Sequence, residues 1–390
     1  MSAGRPLNVF VVATEESGDR LGGHLMRALR EAGGDVAFQG VGGRDMAAEG
    51  LRSLFPIEEL SIMGLVAIPR RLPLILRRLR EVTAAVVAAR PDVLVIIDSP
   101  DFTHRVARQV RAADPSIPIV DYVSPTVWAW RPGRARAMRR YVDHLLALLP
   151  FEPQAHRDLG GPPCTYIGHP LIEQIGSLRP GPDEARRRGE APPVLLVLPG
   201  SRRGEIRHHM AEFGATLGQL RAEGVAFEAV LPTTPHLADQ VKAALRDWPV
   251  QPRVVVGEEA KRAAFRIAHA ALAKSGTVTL ELALAGVPMV TAYRGTAIEA
   301  FVARRLVRVS SVILANLVLG ENVVPEFMQQ DCVPARLVPA LREIMTDSPA
   351  RRRQLAAFAS LDAIMATGGV SPSRRAADIV LATARSPVAR

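Results

Sequence analysis

VLVIIDSPDF, residues 93–102, decides the fold class of this 390-residue chain. Five apolar residues followed at once by a polar turn are typical of a strand buried on both faces of a parallel sheet. Similar runs recur along the chain, at residues 8–13, 117–122, 144–149, 194–198, 227–231, 253–256, 270–273 and 288–292. Amphipathic stretches of helical length separate the runs, for example residues 21–31, 72–89 and 276–285. This alternation predicts an α/β fold with two doubly wound parallel sheets in tandem.

The chain length and one polar segment predict two domains. A chain of 390 residues exceeds what one hydrophobic core usually serves. Residues 177–193, SLRPGPDEARRRGEAPP, collect four prolines, two glycines and dense charge, which is typical of a linker. We therefore expect Rossmann-like domains at residues 1–176 and 194–370, and a helix in residues 371–390 that can pack back on the N-terminal domain. Because parallel sheets bind ligands at the carboxyl ends of their strands, the two sheets are expected to face one cleft.

Composition and charge narrow the range of partners. The net charge is +10, from 49 Lys+Arg against 39 Asp+Glu, which favours nucleic acid, acidic lipid or a phosphorylated substrate. Lysine accounts for three of these 49 residues, so part of the arginine content reflects compositional bias. Aromatic residues, which stack on bases, make up 5% of the chain, and we expect no nucleic-acid binding. Self-association is left open.

The cysteines and the apolar runs limit the cofactors and the compartment. Cys164 and Cys332 are far apart and belong to no zinc or redox motif, so we expect neither to hold a metal or to form a redox pair. No cofactor is expected. The sequence before Glu15 does not fit a signal peptide, and no apolar run approaches the ~18 residues of a membrane span. These features predict a cytoplasmic or peripheral protein in a reducing compartment.

The loop after the first predicted strand contains polar side chains in place of a dinucleotide-binding motif. No GxGxxG pattern occurs there, which disfavours a dinucleotide-dependent dehydrogenase. Glu15, Ser17, Gly18 and Asp19 stand where the loop enters a helix. Free backbone N–H groups at such a turn can bind an anion or a hydroxyl group. Alternatively, Ser17 or Asp19 caps the helix with its own side chain.

Two further predicted strands are followed by candidate site residues. Asp98 directly follows the run at residues 93–97, and we interpret it as a general base that takes a proton from an attacking sugar hydroxyl. Ser124 and Trp128 follow the run at residues 117–122. An indole ring suits a sugar or acyl surface, although packing in the core is an equally good interpretation of Trp128.

The second half of the chain carries candidate ligands for a nucleoside diphosphate. They follow two apolar runs and are Ser201, Arg202, Ser275, Gly276 and Thr277. The planar guanidinium of Arg202 can reach a diphosphate, and so can the backbone amides and hydroxyls of residues 275–277. Glu281, about two turns into the next helix, could reach ribose hydroxyls. A solvated glutamate is the alternative, but its apolar neighbours make a polar partner necessary.

Residues 60–80 combine apolar and basic side chains. The residues expected to contact a membrane or an acyl chain are Met63, Leu65, Val66, Ile68, Arg70 and Arg71. Apolar residues lie on both sides of Pro69 and Pro73, and there are more of them than the single apolar stripe of an amphipathic helix needs. We therefore favour contact with an anionic membrane surface over burial of an amphipathic helix against its own sheet.

Several of these segments together resemble one family, the lipid A disaccharide synthases, and the likeness covers nearly the whole chain. The segments that carry it are ESGD (16–19), GVGG..M..EG (40–50), the MG within residues 61–65, IDSPDF (97–102), YVSPTVWAWR (122–131), LPFE (149–152), IGHP (167–170), LPGSRRGEI (198–206), SGTVTLELALAGVPMVTAYR (275–294) and NLVLGENVVPE (316–326). The chain departs from the family pattern at Thr14, where glycine is usual, and at Lys274, where a small residue is usual.

The resemblance implies a GT-B fold, an inverting transfer without a metal, and association with the anionic surface of the inner membrane. The donor would be UDP-2,3-diacylglucosamine, and the acceptor would be 2,3-diacylglucosamine 1-phosphate. Asp98 would be the base, and Asn316 would join the donor ligands named above. Glu15, Ser17, Gly18, Asp19, Ser124 and Trp128 would line the acceptor site. The alternative is another UDP-N-acetylglucosamine-dependent GT-B transferase or a UDP-sugar epimerase.

Overall fold

The chain forms two compact units in a computed structural model. The structure describes residues 5–60, 68–296, 309 and 311–385, and for residues 68–70 the backbone alone. The first unit comprises Met1–Pro170 and Thr367–Arg390, and the second comprises Leu171–Ala366. No helix in the described ranges is long and apolar enough to cross a membrane.

The first unit is built on a six-stranded parallel sheet. Its strands are β1 (Leu7–Ala13), β2 (Val36–Val41), β3 (Val93–Ile97), β4 (Ile119–Tyr122), β5 (His144–Ala147) and β6 (Cys164–Tyr166). They are ordered β2-β1-β3-β4-β5-β6, and every neighbouring pair is parallel. Along β3, Val93, Val95 and Ile97 belong to one buried cluster and Leu94 and Ile96 to another. The sheet is therefore buried on both faces, which explains the unbroken apolar run of β3.

Helices cover both faces of this sheet. They are α1 (Glu16–Gly33), α2 (Arg44–Ala48), α3 (Ile68–Ala89), α4 (Pro100–Ala113), α5 (Gly133–Met138) and α6 (Glu152–Asp158). Residues of α1 pack in the cluster with Val93, and residues of α3 and α4 pack in the cluster with Leu94.

The second unit repeats the architecture with a different strand order. Its strands are β7 (Val194–Leu198), β8 (Glu228–Thr233), β9 (Arg253–Val256), β10 (Ala270–Lys274), β11 (Met289–Tyr293) and β12 (Glu326–Met328). They are ordered β12-β11-β10-β7-β8-β9, again with parallel neighbours throughout. Its helices are α7 (Ile175–Leu178), α8 (Pro182–Gly189), α9 (Arg203–Ala222), α10 (Ala238–Ala244), α11 (Glu258–Ile267), α12 (Val278–Leu284), α13 (Leu314–Leu319), α14 (Pro334–Met345) and α15 (Pro349–Ile364). The predicted pair of doubly wound sheets is confirmed.

The last helix of the chain belongs to the first unit. Helix α16 (Pro372–Arg385) packs on α1, and its buried Ala376, Val380 and Leu381 join the cluster that contains Leu25. The chain thus leaves the first unit after Pro170 and returns to it at Thr367.

The segment expected to be a linker, residues 177–193, is instead part of the second unit. It contains the whole of α8, and two of its charged side chains have partners elsewhere in that unit. Arg188 donates to the carbonyl oxygens of Phe265 and Gly286, and Glu184 forms an ion pair with Arg266 at 2.7 Å. Part of the dense charge in this segment therefore contacts the ends of neighbouring helices, while Asp183, Arg186 and Glu190 remain exposed.

The strand order identifies one point in each sheet at which the direction of winding reverses. In the first sheet this point lies between β1 and β3, and in the second it lies between β7 and β10. We call these the first and second switch points. At such a point the loops after two adjacent strands diverge to opposite faces, and the opening between them is the usual ligand site of this class of sheet.

Candidate active site

The first switch point brings together two of the predicted site residues. Ser17 lies in the first turn of α1 and Asp98 directly follows β3. The Ser17 hydroxyl donates to Asp98 Oδ2 at 3.3 Å, although 81 residues separate the two. Ser17 is exposed and Asp98 is half-buried, so the carboxylate is held by the protein and remains accessible.

The backbone at Asp98 has a rare conformation that neighbouring groups enforce. Asp98 and Ser99 have φ angles of 51° and 47°, in the left-handed region that non-glycine residues seldom adopt. The Asp98 N–H donates to the carbonyl of Tyr122 at 3.0 Å, and the Thr103 hydroxyl donates to the Asp98 carbonyl at 2.7 Å. Such strain persists where the surroundings fix it, and it is concentrated at functional sites.

Asp19 does not face the opening at the first switch point. Its carboxylate accepts hydrogen bonds from the backbone N–H groups of Gly43, Asp45 and Met46, at 2.7, 2.8 and 3.1 Å. It therefore caps α2, which is not the helix that the sequence suggested it would cap. Gly18 is buried against β3, where an added Cβ would lie 3.3 Å from the Ile97 carbonyl oxygen. Glu15 precedes α1 and is exposed.

A buried polar chain next to Asp98 was not foreseen from the sequence. Asp121 on β4 is fully buried, and its Oδ2 lies 3.1 Å from Nε2 of His104 on α4. His104 Nδ1 is in turn 3.1 Å from the Tyr141 hydroxyl. Burial raises the pKa of Asp121, and the Asp98 carboxylate raises it further, while His104 opposes both. The available signal was an aspartate within the apolar run of β4.

Ser124 and Trp128 belong to a second buried polar cluster, at the carboxyl ends of β4 and β5. Ser124 Oγ is 2.9 Å from His156 Nε2. The Trp128 indole N–H donates to Glu152 at 3.2 Å, and its ring meets that of Phe151 edge-on at 5.1 Å between centroids. Trp128 is half-buried, so part of its ring stays accessible while these contacts fix its orientation.

Burial shifts both titratable groups of this cluster towards their neutral forms. It raises the pKa of Glu152 to about 7, against the stabilising hydrogen bonds from the Leu149 N–H and the Trp128 indole. It lowers the pKa of His156 to about 4. The cluster can therefore be uncharged near neutral pH.

The second switch point joins the two predicted phosphate-binding segments through one carboxylate. Glu205 in α9 accepts the Ser201 N–H at 2.9 Å on Oε2 and binds the Lys274 ammonium at 2.9 Å on Oε1. Burial raises the pKa of Glu205, but its contacts with Lys274 outweigh burial and hold the pKa below its usual value. Arg202 precedes α9 and is exposed.

Three buried hydroxyls near the second switch point have no hydrogen-bond partner among the described residues. They are Ser275 Oγ after β10, Thr233 Oγ1 at the end of β8, and Thr234 Oγ1. Strands β10 and β8 flank β7, so these hydroxyls lie at the same sheet edge as Arg202. Gly276 and Thr277 continue the turn after Ser275 and are more exposed than Ser275. Because buried polar groups are nearly always satisfied, this edge is suited to a polar ligand.

Glu281 has the partner that its apolar surroundings require. Its Oε2 lies 2.6 Å from the Lys261 ammonium, which also contacts Glu258 at 3.3 Å. Asn316, expected as a donor ligand, is buried, and its side chain bonds to Ser311, Val323 and Val324. The amide of Asn316 thus holds a loop in place and is fully engaged within the chain.

The structure describes only some of the residues that were expected to contact a membrane. Met63, Leu65 and Val66 lie outside the described residues. Ile68 and Arg70 belong to the first turn of α3, and Arg71 is exposed. Within the described ranges, no group of three or more His, Cys, Asp or Glu side chains is arranged to hold a metal ion.

Solved structures with the same architecture define the class of fold. UDP-GlcNAc 2-epimerase from Neisseria meningitidis aligns with a TM-score of 0.59 at 11% identity, over 97% of this chain and 99% of that one. The glycotransferase of kitacinnamycin aligns with a TM-score of 0.58 at 19% identity, over 97% of this chain and 100% of that one. The fold is GT-B, as the resemblance implied.

Sequence relatives narrow the class to one family. The family model described as lipid-A-disaccharide synthetase matches residues 9–367. The lipid-A-disaccharide synthase of Nitrobacter hamburgensis is 70% identical over 376 residues, 96% of this chain and 95% of that protein. That of Rhodopseudomonas palustris strain CGA009 is 69% identical over 378 residues, 97% of this chain and 96% of that protein. The chain belongs to the lipid-A-disaccharide synthetase family and is a glycosyltransferase of lipid A biosynthesis. This decides against the epimerase alternative.

Proposed function

We propose that the enzyme transfers 2,3-diacylglucosamine from its UDP derivative to the 6-hydroxyl of 2,3-diacylglucosamine 1-phosphate. The products are a β-1,6-linked disaccharide 1-phosphate and UDP. The observation that carries this proposal is the accessible Asp98 carboxylate, held by Ser17 in a strained turn at the first switch point. A carboxylate fixed at such an opening suits the deprotonation of a sugar hydroxyl.

In the proposed mechanism, each unit of the chain has a separate role. Asp98 of the first unit accepts the proton of the acceptor 6-hydroxyl as its oxygen attacks the anomeric carbon. The bond from that carbon to the UDP oxygen breaks, and its electron pair leaves with UDP, so configuration inverts. In the second unit, Arg202 and the hydroxyls of Ser275 and Thr277 bind the diphosphate, and Glu281 binds the ribose. The partly exposed ring of Trp128 supports the acceptor.

Replacement of Asp98 by asparagine tests the assigned base. The amide keeps the shape of the side chain and cannot accept the proton, so we expect turnover to fall by about 10²–10⁴-fold. UDP binding should stay close to wild type, because the donor ligands belong to the second unit. The assay incubates the protein with both acylated sugars and detects UDP and disaccharide.

Asp101→Asn is the matched control for this experiment. Asp101 is exposed in the first turn of α4, and its contact with Arg134 is long, at 3.3 Å. That variant should turn over like wild type. Wild-type-like turnover of Asp98→Asn would refute the base, and failure of the unmodified enzyme to release UDP would refute the proposed substrates.

We also propose that residues 60–80 attach the enzyme peripherally to an anionic membrane surface. In the described part of α3, Leu72 is 44% exposed and Arg71, Arg77 and Arg80 are exposed beside it. Exposed apolar and basic side chains on one segment suit the interface of an anionic bilayer. The substrates proposed above are themselves membrane lipids, which gives this attachment a purpose.

Vesicle sedimentation tests the membrane proposal. Replacing Leu65, Val66 and Ile68 together by serine should release the protein from vesicles that contain anionic lipid. A control that replaces Leu355 and Val370, which are exposed apolar residues elsewhere, should sediment like wild type. Equal sedimentation of the triple variant and the unmodified protein would contradict the proposal.

A further inference from the structure

Lys274 places an ammonium group beside the turn that follows β10. Its Nζ lies 2.9 Å from Glu205 Oε1 and 5.5 Å from the centre of the Tyr293 ring. A Cβ added to Gly276 would lie 3.3 Å from this same nitrogen. The charge is therefore next to the turn of Ser275 and Gly276, which the proposed function assigns to the diphosphate.

The ion pair of Lys274 connects two segments of the second switch point. The other oxygen of Glu205 accepts the backbone N–H of Ser201, in the loop after β7. The Lys274 and Glu205 side chains are 17% and 15% exposed, so the pair is largely withdrawn from solvent. An ammonium has three N–H donors, and the bond to Glu205 uses one of them. The remaining donors can reach a ligand at this edge of the sheet.

The choice of lysine at this position is not explained by composition. Three of the 49 basic residues are lysine: Lys242, Lys261 and Lys274. Lys274 contacts Glu205 at the second switch point, and Lys261 contacts Glu281 on the adjacent α12. A compact ammonium fits beside Gly276, where the broad guanidinium fork of arginine would need more space.

We propose that Lys274 binds the diphosphate of the donor and stabilises UDP as it departs. This inference rests on the proposed function. When the bond between the anomeric carbon and the UDP oxygen breaks, its electron pair stays on the diphosphate. The Lys274 ammonium offsets that negative charge without transferring a proton, together with Arg202. Glu205 is a positioning residue that holds the ammonium between the two loops.

The competing explanation is that Lys274 only neutralises the half-buried Glu205. A double variant separates the two explanations, because it removes both charges at once. Lys274→Met alone leaves Glu205 without its cation, so it should lower the thermal unfolding midpoint whichever explanation holds. Lys274→Met combined with Glu205→Gln should restore the midpoint, since glutamine can still accept the Ser201 N–H.

Calorimetric binding of UDP and of uridine gives the decisive measurement. We expect both the single and the double variant to bind UDP about 10- to 100-fold more weakly than wild type. Uridine carries no phosphate, so all variants should bind it alike. Lys242→Met, on the exposed face of α10, is the matched control and should bind UDP like wild type.

Two results would overturn the inference, and they are distinguishable. Recovery of UDP affinity in the double variant would show that Lys274 serves Glu205 alone, with the proposed function intact. Absence of UDP binding in the unmodified enzyme would instead refute the proposed donor site and this inference with it.

Discussion

At the residue scale, Glu152 and His156 illustrate how burial favours neutral side chains in one cluster. Glu152 has a pKa raised to about 7, and His156 has a pKa lowered to about 4. Both shifts disfavour the charged form, yet the two groups lower the stability of the fold when pH changes in opposite directions. Ionisation of Glu152 costs stability as pH rises, and protonation of His156 costs stability as pH falls.

Replacement of Glu152 by glutamine should change how stability depends on pH. In the unfolded chain this carboxyl loses its proton near pH 4.5, whereas in the folded chain it keeps the proton up to about pH 7. Between these values the wild type therefore loses about 3 kcal/mol of unfolding free energy that the variant does not lose. Urea unfolding of both proteins at pH 4.5 and at pH 7 measures the change.

The control for that measurement is Glu190→Gln, at an exposed position. It should follow the wild-type pH dependence, because the removed carboxyl is in water in both states. A constant difference between Glu152→Gln and wild type at the two pH values would contradict the shifted titration.

The sequence predicts where a site residue lies in the fold better than it predicts which groups that residue contacts. Asp98 and Ser17 follow neighbouring strands, and the structure joins them at 3.3 Å, because the strands of a parallel sheet end at one edge. Asp19 and Asn316 have equally suitable polar groups, but backbone N–H groups elsewhere in the fold occupy them. Lys261, the partner of Glu281, lies on another helix, so local sequence carries no sign of the pair.

At the scale of the element, the strands missing from the prediction are all at sheet edges. All nine predicted runs form strands, and the additional ones are β2, β6 and β12. Residues of β6 and β12 are only partly buried, and within β2 Ala37 and Gln39 are exposed and Phe38 is half-buried. An edge strand lacks a neighbour on one side, so it does not need an unbroken apolar run.

Helix α16 makes a specific contact with α1 whose loss should be measurable. Leu381 is buried in the cluster with Leu25, and a Cβ on Gly33 would lie 3.1 Å from its side chain. Leu381→Ala should therefore lower the free energy of unfolding by about 2–5 kcal/mol. Asp378→Ala, on the exposed side of α16, should change it by less than about 0.5 kcal/mol. Equal effects of the two substitutions in urea unfolding would show that α16 does not pack as described.

At the scale of the whole molecule, the two units differ in the number of chain segments that build them. The second unit is one continuous segment, whereas the first needs both Met1–Pro170 and Thr367–Arg390. Without α16, helix α1 would lose the packing of Leu381 beside Gly33, and their shared cluster would lose Ala376, Val380 and Leu381.

Fragments should reproduce this difference. Residues 171–366 expressed alone should unfold cooperatively in a thermal melt followed by circular dichroism. Residues 1–170 alone should show no cooperative transition, and addition of a peptide of residues 367–390 should restore one. A cooperative melt of residues 1–170 without the peptide would show that the first unit does not depend on α16.

The return of the chain to its first unit also sets an order of events during translation. A domain at the start of a protein ordinarily folds while the ribosome is still making the rest. Here the first unit lacks α16 until residues beyond 366 have left the exit tunnel, while the unit made after it already has all its parts. The half of the enzyme that carries Asp98 is therefore begun before the other half and completed after it.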